Sequence, residues 1–392
     1  MTGNITDTTI SYTQNLQVIF QFKVHFCRLL FNVEDSLFAD ELSTASATGI
    51  AKCAVVIDEG LASAMPDLLE KIKAYGERYS GKLNLASPLV ITGGEACKND
   101  PVYLKQIISL LNEHSIDRHS YLLAIGGGAL LDLAGLAAAV FHRGVRLVRA
   151  PTTVLAQNDA GVGVKNGINA FGTKNLIGSF APPFAVFNAA EFLQTLSKRD
   201  RIAGISEAVK VALIRDPEFF SWLEGNAESL REFEEGPAAH MIRRCAKLHM
   251  DHISQNGDPF EVGSARPLDF GHWAAHRLEI MTSHQLRHGE AVSIGMVIDN
   301  RYAVLKGMLS EKDERRIQET LKKIGLPLSH RLLSSQEKTG ELLQGLDDFR
   351  EHLGGNLCIT LLNSIGQGRQ VNHIDKDVIS LAIAQVGSLY SG

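Results

Sequence analysis

Cysteine is scarce in this sequence, and its five copies indicate neither a disulfide framework nor a thiolate metal site. They lie far apart, and no C-x-x-C spacing occurs among Cys27, Cys53, Cys97, Cys245 and Cys358. Long hydrophobic runs are also missing, since none approaches the roughly 18–20 residues that a membrane-spanning helix requires. The N-terminus shows no basic and apolar segment of the secretory type. We therefore expect reduced thiols in a soluble, cytoplasmic protein.

Positive charge is in short supply as well, because 39 lysines and arginines face 44 aspartates and glutamates, a net charge of -5. This balance argues against nucleic acid or an acidic membrane as the main partner. It leaves room for an anionic metabolite, which needs only a local basic pocket. The 392 residues, 45% hydrophobic and 21% charged, are enough for two domains with their own cores.

The hydrophobic pattern changes character near Pro182 and Pro183. Before them, residues 16–27 alternate apolar and polar side chains, which predicts a strand with one buried face. Short apolar runs at residues 55–57, 89–92 and 121–125 then alternate with helical stretches, which predicts a mostly parallel sheet covered by helices. After them, amphipathic stretches predict an all-helical half, at residues 199–214, 217–231, 238–254, 271–281, 288–306 and 311–324. We therefore expect an α/β domain over residues 1–185 and a helical domain over residues 186–392.

A glycine turn, Gly126-Gly127-Gly128, separates the last of these predicted strands from a helix of small residues. Backbone N–H groups at such a helix N-terminus can approach a phosphate closely. Leu131 stands where the G-x-G-x-x-G fingerprint would place its third glycine. The residues alone leave both a tight structural turn and a dinucleotide site open.

The second half contains a set of metal-ligating side chains. His272 is followed four residues later by His276, and His288 begins the next predicted helix; upstream, Glu207 and Lys210 share one helix face. One carboxylate and two imidazoles form a normal catalytic zinc set with an open position. Histidines on a helix face are also common as ordinary surface or core residues. The H-E-x-x-H arrangement of metalloproteases is absent.

Residues 151–180 combine polar side chains with small and apolar ones. Asp159, Lys165, Lys174 and several asparagines, among them Asn175, alternate there with glycine, valine and isoleucine. This composition favours an ordered loop that lines a phosphate- and hydroxyl-rich ligand. A flexible linker would carry serine and glutamate between its glycines instead.

Taken in order, these segments resemble the 3-dehydroquinate synthase family of sugar-phosphate cyclases. The resemblance runs from about residue 58 to about residue 366, in GGGALLDLAG (126–135), HRG (142–144), PTTVLAQNDAGVGVKNGIN (151–169), GTKNLIGSF (172–180), ISEAVKVALIRD (205–216), DFGHWAAH (269–276) and RHGEAVSIGM (287–296). It implies a Rossmann-like α/β nucleotide-binding domain followed by a helical metal-binding domain, the fold class α/β plus all-α. It also implies a homodimer with the active site between the two domains of each chain.

The resemblance implies roles for individual residues, with NAD and Zn²⁺ or Co²⁺ as cofactors. The metal ligands would be Glu207, His272 and His288. The nucleotide would contact Asp58, Glu95, Lys98, Gly127, Gly128, Asp132, Thr152, Thr153, Phe192 and Thr195. The catalytic residues would be Asp159, Lys165, Lys210, Arg266 and His276. The substrate and its phosphate would contact Arg143, Lys174, Asn175, Asp269 and Arg350. For His276, a proton relay and a neutral packing role both remain open.

In this family NAD transiently oxidises an alcohol of a seven-carbon sugar phosphate. Phosphate then leaves by elimination, the hydride returns, and an aldol closure forms the carbocycle. The family usually has asparagine where this chain has Asp269. A lysine that the family carries on the helix before the metal histidines has no clean match here, and the candidates for a neighbouring position are Lys247 and His249. The Asp269 carboxylate would repel a substrate carboxylate unless Arg266 or Arg350 compensates.

We therefore expect a cyclase with a substrate outside the shikimate pathway, such as sedoheptulose 7-phosphate. The alternative is 3-dehydroquinate synthase itself, and retention of His276 is unlike the sedoheptulose-phosphate cyclases. A metal-dependent polyol or alcohol dehydrogenase is disfavoured by the segment that carries Lys165, Lys174 and Asn175. An inactive scaffold is disfavoured because the metal and lysine sets are complete.

Overall fold

The computed structural model describes residues 11–46, 48–171, 173–255, 258–260, 268–352, 355 and 357–390. The strands in these ranges are β1 (Lys23–Cys27), β2 (Ala51–Asp58), β3 (Leu83–Leu85), β4 (Leu89–Ile91), β5 (Tyr121–Gly126), β6 (Arg146–Pro151), β7 (Lys165–Ala170), β8 (Thr173–Phe180), β9 (Ala185–Ala189), β10 (Ile359–Ser364) and β11 (Gln367–Val371). The α-helices are α1 (Leu37–Thr44), α2 (Glu59–Ala64), α3 (Leu68–Arg78), α4 (Ala96–Asn99), α5 (Pro101–Glu113), α6 (Gly128–Val140), α7 (Val154–Asn158), α8 (Lys198–Ala203), α9 (Ser206–Arg215), α10 (Pro217–Gly225), α11 (Ala227–Arg231), α12 (Glu235–Gln255), α13 (His272–Met281), α14 (His288–Leu305), α15 (Glu311–Ile324), α16 (Gln336–His352) and α17 (Lys376–Gly387).

A parallel sheet forms the centre of the first half, with strand order β1-β9-β6-β5-β2-β3 and β4 also paired to β2. Its strands are short apolar runs, and β5 is buried along its whole length. Alternate side chains of β5 enter two different cores, Tyr121, Leu123 and Ile125 on one face and Leu122 and Ala124 on the other. Burial on both faces requires helices on both sides of the sheet, and this confirms the predicted α/β organisation.

The edges of this region differ from the sequence-based expectation in two places. The first strand is limited to Lys23–Cys27, whereas residues 16–27 were expected to form it. At the other end, β9 pairs with β1 and β6, so the sheet extends to Ala189, beyond the expected division at residue 185.

Residues 151–180, expected to be an ordered loop, contain α7, a short 3-10 turn and an antiparallel hairpin of β7 and β8. The hairpin packs against α6 at Gly135, where an added Cβ would lie 1.7 Å from Asn166 Oδ1. Glycine is required at this position because any side chain would displace the hairpin from the helix.

The second half is mainly helical and packs around α14, which is buried over most of its length. The predicted helix 199–214 is divided into α8 and α9 at Gly204, whose added Cβ would lie 2.5 Å from Val154 Cβ. The expectation of an all-helical half is wrong in one respect, because β10 and β11 form an antiparallel hairpin. Among the described helices, none combines the length and apolarity that crossing a bilayer would need.

Candidate active site

Most residues predicted to contact the nucleotide lie where the parallel strands end. Asp58 ends β2 and caps α2, accepting a hydrogen bond from a backbone N–H two residues later at 2.8 Å. Gly127 and Gly128 join β5 to α6, and Thr152 and Thr153 join β6 to α7. The carboxyl edge of an open parallel sheet is the usual place for a bound dinucleotide. The structure therefore brings these residues to a suitable edge.

A polar network at the same edge connects α4, α6 and the β7–β8 hairpin. Lys98 Nζ donates to Asp132 Oδ2 at 2.8 Å and also to Asn175 Oδ1. Glu95 Oε1 accepts a hydrogen bond from Asn169 Nδ2 at 2.7 Å. A residue predicted for the substrate, Asn175, thus contacts one predicted for the nucleotide, Lys98.

Phe192 and Thr195 lie in a 3-10 turn, Ala190–Thr195, directly after β9. The Phe192 ring is fully buried in the core under the sheet. Thr195 Oγ1 donates to the Phe192 carbonyl oxygen at 2.7 Å, which fixes the shape of the turn. The Phe192 side chain therefore packs, and any ligand contact from this residue would come from its backbone.

Glu207, His272 and His288 converge although they lie on three helices, α9, α13 and α14. One ligand atom from each lies within 4.8 Å of the other two. Glu207 Oε1 is 3.8 Å from His272 Nε2 and 3.7 Å from His288 Nε2. Glu207 is fully buried, and within the described residues its Oε1 atom has no hydrogen-bond partner. A buried carboxylate oxygen without a donor, facing two imidazole nitrogens, fits a divalent cation.

Both imidazoles have their other nitrogen engaged, which leaves Nε2 for a metal. His272 Nδ1 lies 3.1 Å from the Phe270 carbonyl oxygen, and His288 Nδ1 lies 3.2 Å from Glu279 Oε2. Such partners select the tautomer and orient the ring of a metal-binding histidine. His276 lies beside both rings, with centroids 5.4 Å and 6.0 Å away, and keeps solvent access.

Lys210 completes the buried centre by an ion pair with Glu207, one helical turn away on α9. Burial opposes the charge on Lys210, but the carboxylates of Glu207 and Asp159 raise its pKa. Burial likewise opposes the charge on Glu207, and there the charges of Lys210 and His288 lower the pKa. Both side chains are therefore held in their ionised forms.

Asp159 and Lys165 lie at the two ends of the loop between α7 and β7. Asp159 Oδ1 is 3.1 Å from His249 Nδ1 of α12. Lys247, two residues earlier on α12, instead points outward and pairs with Asp251 at 2.8 Å. His249, and not Lys247, is therefore the α12 residue that enters the site.

A fully buried arginine, Arg149 on β6, holds this loop in shape. Its Nη1 atom donates to the carbonyl oxygens of Gly163 at 2.7 Å and Gly161 at 3.1 Å. Its Nη2 atom donates to the carbonyl oxygen of Lys165 at 3.1 Å and to Asn166 Oδ1 at 2.7 Å. Sequence reasoning missed this residue, although a charged residue inside the apolar strand RLVRAP was an available signal.

Among the described lysines and carboxylates around the centre, negative charge exceeds positive charge. Three lysines face four carboxylates, namely Lys165, Lys174 and Lys210 against Asp159, Glu207, Asp269 and Glu279. Burial opposes ionisation of Asp269, but the charges of Lys165, His272 and Lys210 lower its pKa. A divalent cation would reverse the negative excess and leave the site able to attract a phosphorylated anion.

Two arginines predicted for this site, Arg143 and Arg350, form no contact with the other predicted site residues in the described part of the chain. Arg143 is exposed beyond the end of α6 and, among the described residues, forms no hydrogen bond or ion pair. Arg350 lies on α16, pairs with Asp347 at 2.9 Å and lines a separate cavity near His373. The expected substrate contact of Arg350 stays a prediction. Arg266 lies outside the described residues.

Comparison with known proteins gives consistent matches along the chain. Residues 88–203 match the family model described as 3-dehydroquinate synthase N-terminal, and residues 204–347 match 3-dehydroquinate synthase C-terminal. The 3-dehydroquinate synthase of Campylobacter hominis is 38% identical over 290 residues, covering 74% of this chain and 81% of that protein. The corresponding protein of Nitratiruptor sp. is 39% identical over 265 residues, covering 67% and 71%.

Two solved structures share the fold. ValA, a 2-epi-5-epi-valiolone synthase from Streptomyces hygroscopicus with NAD⁺ and Zn²⁺ bound, is 28% identical, with a TM-score of 0.85 over 97% of this chain and 100% of that chain. A 2-deoxy-scyllo-inosose synthase, complexed with carbaglucose-6-phosphate, NAD⁺ and Co²⁺, is 23% identical, with a TM-score of 0.76 over 92% and 96%. The second likeness concerns the fold alone.

Proposed function

Because the chain belongs to the 3-dehydroquinate synthase family, we propose that it is an NAD- and divalent-metal-dependent cyclase that eliminates phosphate from a seven-carbon sugar phosphate. One observation carries this proposal: the buried Glu207 Oε1 atom lies 3.8 Å and 3.7 Å from the Nε2 atoms of His272 and His288, as the ligands of one metal ion would. Lys210 pairs with Glu207 there, and β8 connects the centre to the nucleotide-edge network, since Lys174 contacts Glu279 and Asn175 contacts Lys98. The solved relative that contains NAD⁺ and Zn²⁺ supports the choice of cofactors.

When bound between Glu207, His272 and His288, the divalent ion would acidify a substrate hydroxyl while NAD accepts and later returns a hydride. The protein's own groups hold the substrate. Lys165 and Lys174 project from the hairpin and offset the charge of the leaving phosphate. His276 keeps access to water, so it can exchange a proton with solvent between steps.

For the choice of substrate, the names of the relatives weigh more than the one position, Asp269, at which this chain differs from the usual family residue. The curated relatives at 34–40% identity are named 3-dehydroquinate synthase, and this favours the alternative over the expected substrate outside the shikimate pathway. We therefore take 3-deoxy-arabino-heptulosonate 7-phosphate as the first candidate substrate. Among the described residues, His249, Lys165 and Lys210 are cationic or protonatable groups near Asp159 or Asp269 that could face the substrate carboxylate.

Sedoheptulose 7-phosphate is the second candidate, because Asp269 is held ionised at the centre of the site. A substrate without a carboxylate avoids repulsion from this group. The similarity to ValA over almost the whole chain supports the same candidate.

Release of inorganic phosphate from both sugar phosphates, with NAD and Zn²⁺ or Co²⁺ present, tests the proposal. Turnover of the first substrate would establish 3-dehydroquinate synthase activity, and turnover of only the second would establish the other cyclase. A control with His272→Ala should release none. Steady accumulation of NADH without phosphate would contradict the proposal and favour a polyol dehydrogenase. Light scattering and cell fractionation would test the implied homodimer and cytoplasmic location.

A further inference from the structure

We propose that Glu279 of α13 is a positioning residue, which orients the metal ligand His288 and connects it to Lys174 of the β7–β8 hairpin. The proposal deepens the function above and rests on Glu207, His272 and His288 holding a metal. The family resemblance in the sequence assigned Glu279 no role. Its position is visible only when α13, α14 and the hairpin are assembled.

The two oxygens of the Glu279 carboxylate contact side chains on two different elements, α14 and β8. Oε2 lies 3.2 Å from His288 Nδ1, and Oε1 accepts a hydrogen bond from Lys174 Nζ at 3.2 Å. The side chain is 7% exposed, so water does not compete strongly for either oxygen. Because His288 Nδ1 is occupied, its Nε2 atom is the nitrogen that faces Glu207 Oε1, at 3.7 Å. A carboxylate in this place fixes the tautomer and raises the basicity of a ligating imidazole.

The contact with Lys174 extends this role across the site. Lys174 and Asn175 are neighbours on β8, and their side chains reach different partners, Glu279 on α13 and Lys98 on α4. One strand of the hairpin therefore touches both the metal centre and the nucleotide edge. Through these two contacts, Glu279 fixes the position of the hairpin relative to the metal ligand His288.

In a competing arrangement, Glu279 and His288 would be ligands of a second metal ion, together with His276. Ligand atoms of His276, Glu279 and His288 also lie within 4.8 Å of one another. His288 would then have to ligate through both nitrogens. The contact between Glu279 and Lys174 favours the positioning role, because a second cation would face the lysine charge across one carboxylate.

Titration of the metal-free protein with Co²⁺ tests the proposal without any substrate. Calorimetry gives the affinity and the number of ions, and the visible absorption of bound Co²⁺ reports the ligand geometry. Glu279→Gln should weaken Co²⁺ binding roughly 10- to 100-fold at an unchanged ratio of one ion per chain. Glu314→Gln is the matched control, since Glu314 is equally buried and pairs with Arg301 at 2.8 Å away from the site. It should leave Co²⁺ affinity unchanged even if it lowers the melting temperature.

Unchanged affinity in Glu279→Gln would overturn the proposal. Binding of two ions per chain, with one lost in Glu279→Gln and the other unaffected, would make Glu279 a ligand of a second metal. An equal loss of affinity in Lys174→Met would also overturn it, because Glu279 would then act only by holding the lysine. If Co²⁺ behaves as expected but neither sugar phosphate is turned over, the proposed function fails while the role of Glu279 stands.

Discussion

Replacing Arg149 by methionine would remove the guanidinium that holds the loop carrying Asp159 and Lys165. The substitution keeps an unbranched apolar stem of similar reach, so it removes chiefly the hydrogen bonds. The guanidinium is fully buried and its pKa is lowered to about 10 by burial, so it is still charged at neutral pH. Its removal therefore deletes both a charge and the donors to four acceptors between Gly161 and Asn166.

The size of the effect follows from two opposing contributions. Each buried acceptor left without a donor costs about 1–3 kcal/mol, so four of them would cost at least about 4 kcal/mol. Removing the buried charge offsets part of this destabilisation, because the folded protein no longer bears the cost of desolvating a guanidinium. We expect a net loss of about 3 kcal/mol in the local stability of the loop, which corresponds to about 100-fold faster amide exchange.

Hydrogen exchange read by mass spectrometry over residues 160–168, together with steady-state phosphate release, measures this effect. A small displacement of Asp159 and Lys165 should lower kcat by about 100-fold. Arg316→Met is the control, because Arg316 is 35% exposed and pairs with Glu224 at 2.6 Å, and such pairs contribute about 1 kcal/mol or less. Exchange and kcat within threefold of the unmodified protein in Arg149→Met would refute the reasoning.

Three further predictions concern single carboxylates and a lysine. Burial raises the pKa of Asp299 to about 7, above its unfolded value, so its contribution to stability is full below about pH 4 and is lost as the pH rises through about 7. Urea unfolding from pH 4 to pH 8 should therefore show a decline that Asp299→Asn flattens, and equal slopes would contradict this. Lys165→Ala should lower kcat for phosphate release by about 100-fold or more while Co²⁺ affinity is kept, and normal turnover would remove Lys165 from the phosphate site. Asp269→Asn should raise kcat/KM for the carboxylate-bearing substrate relative to sedoheptulose 7-phosphate by about tenfold, or about 1.4 kcal/mol, and an unchanged ratio would count against repulsion.

The features that could be predicted without the structure are those that depend on short stretches of sequence. Alternation of apolar strands with helices predicted the parallel sheet, because burial on both faces demands continuous apolar strands. The glycines after β5 and the order of the histidine motifs indicated the nucleotide edge and the metal trio. These features depend on neighbours within a few residues, or on motifs that keep their order along the chain.

Features that depend on pairing or on helix rotation could not be predicted in this way. The β7–β8 hairpin was expected to be a loop, since antiparallel pairing depends on a partner strand and on Gly135 of α6. Lys247 and His249 were equal candidates by sequence, but they point in different directions on α12, and helix packing selected His249.

By itself the sequence determined the fold class and the family, and it predicted Glu207, His272 and His288 as a metal trio, because residue type, periodicity and motif order are properties of the chain. Only the tertiary structure decided that Arg149 holds the loop carrying Asp159 and Lys165, that Glu279 contacts both His288 and Lys174, and that Arg350 pairs with Asp347. These contacts join residues far apart in the chain, and their distances are set by the packing of helices against the sheet and hairpin, which spacing along the sequence does not encode.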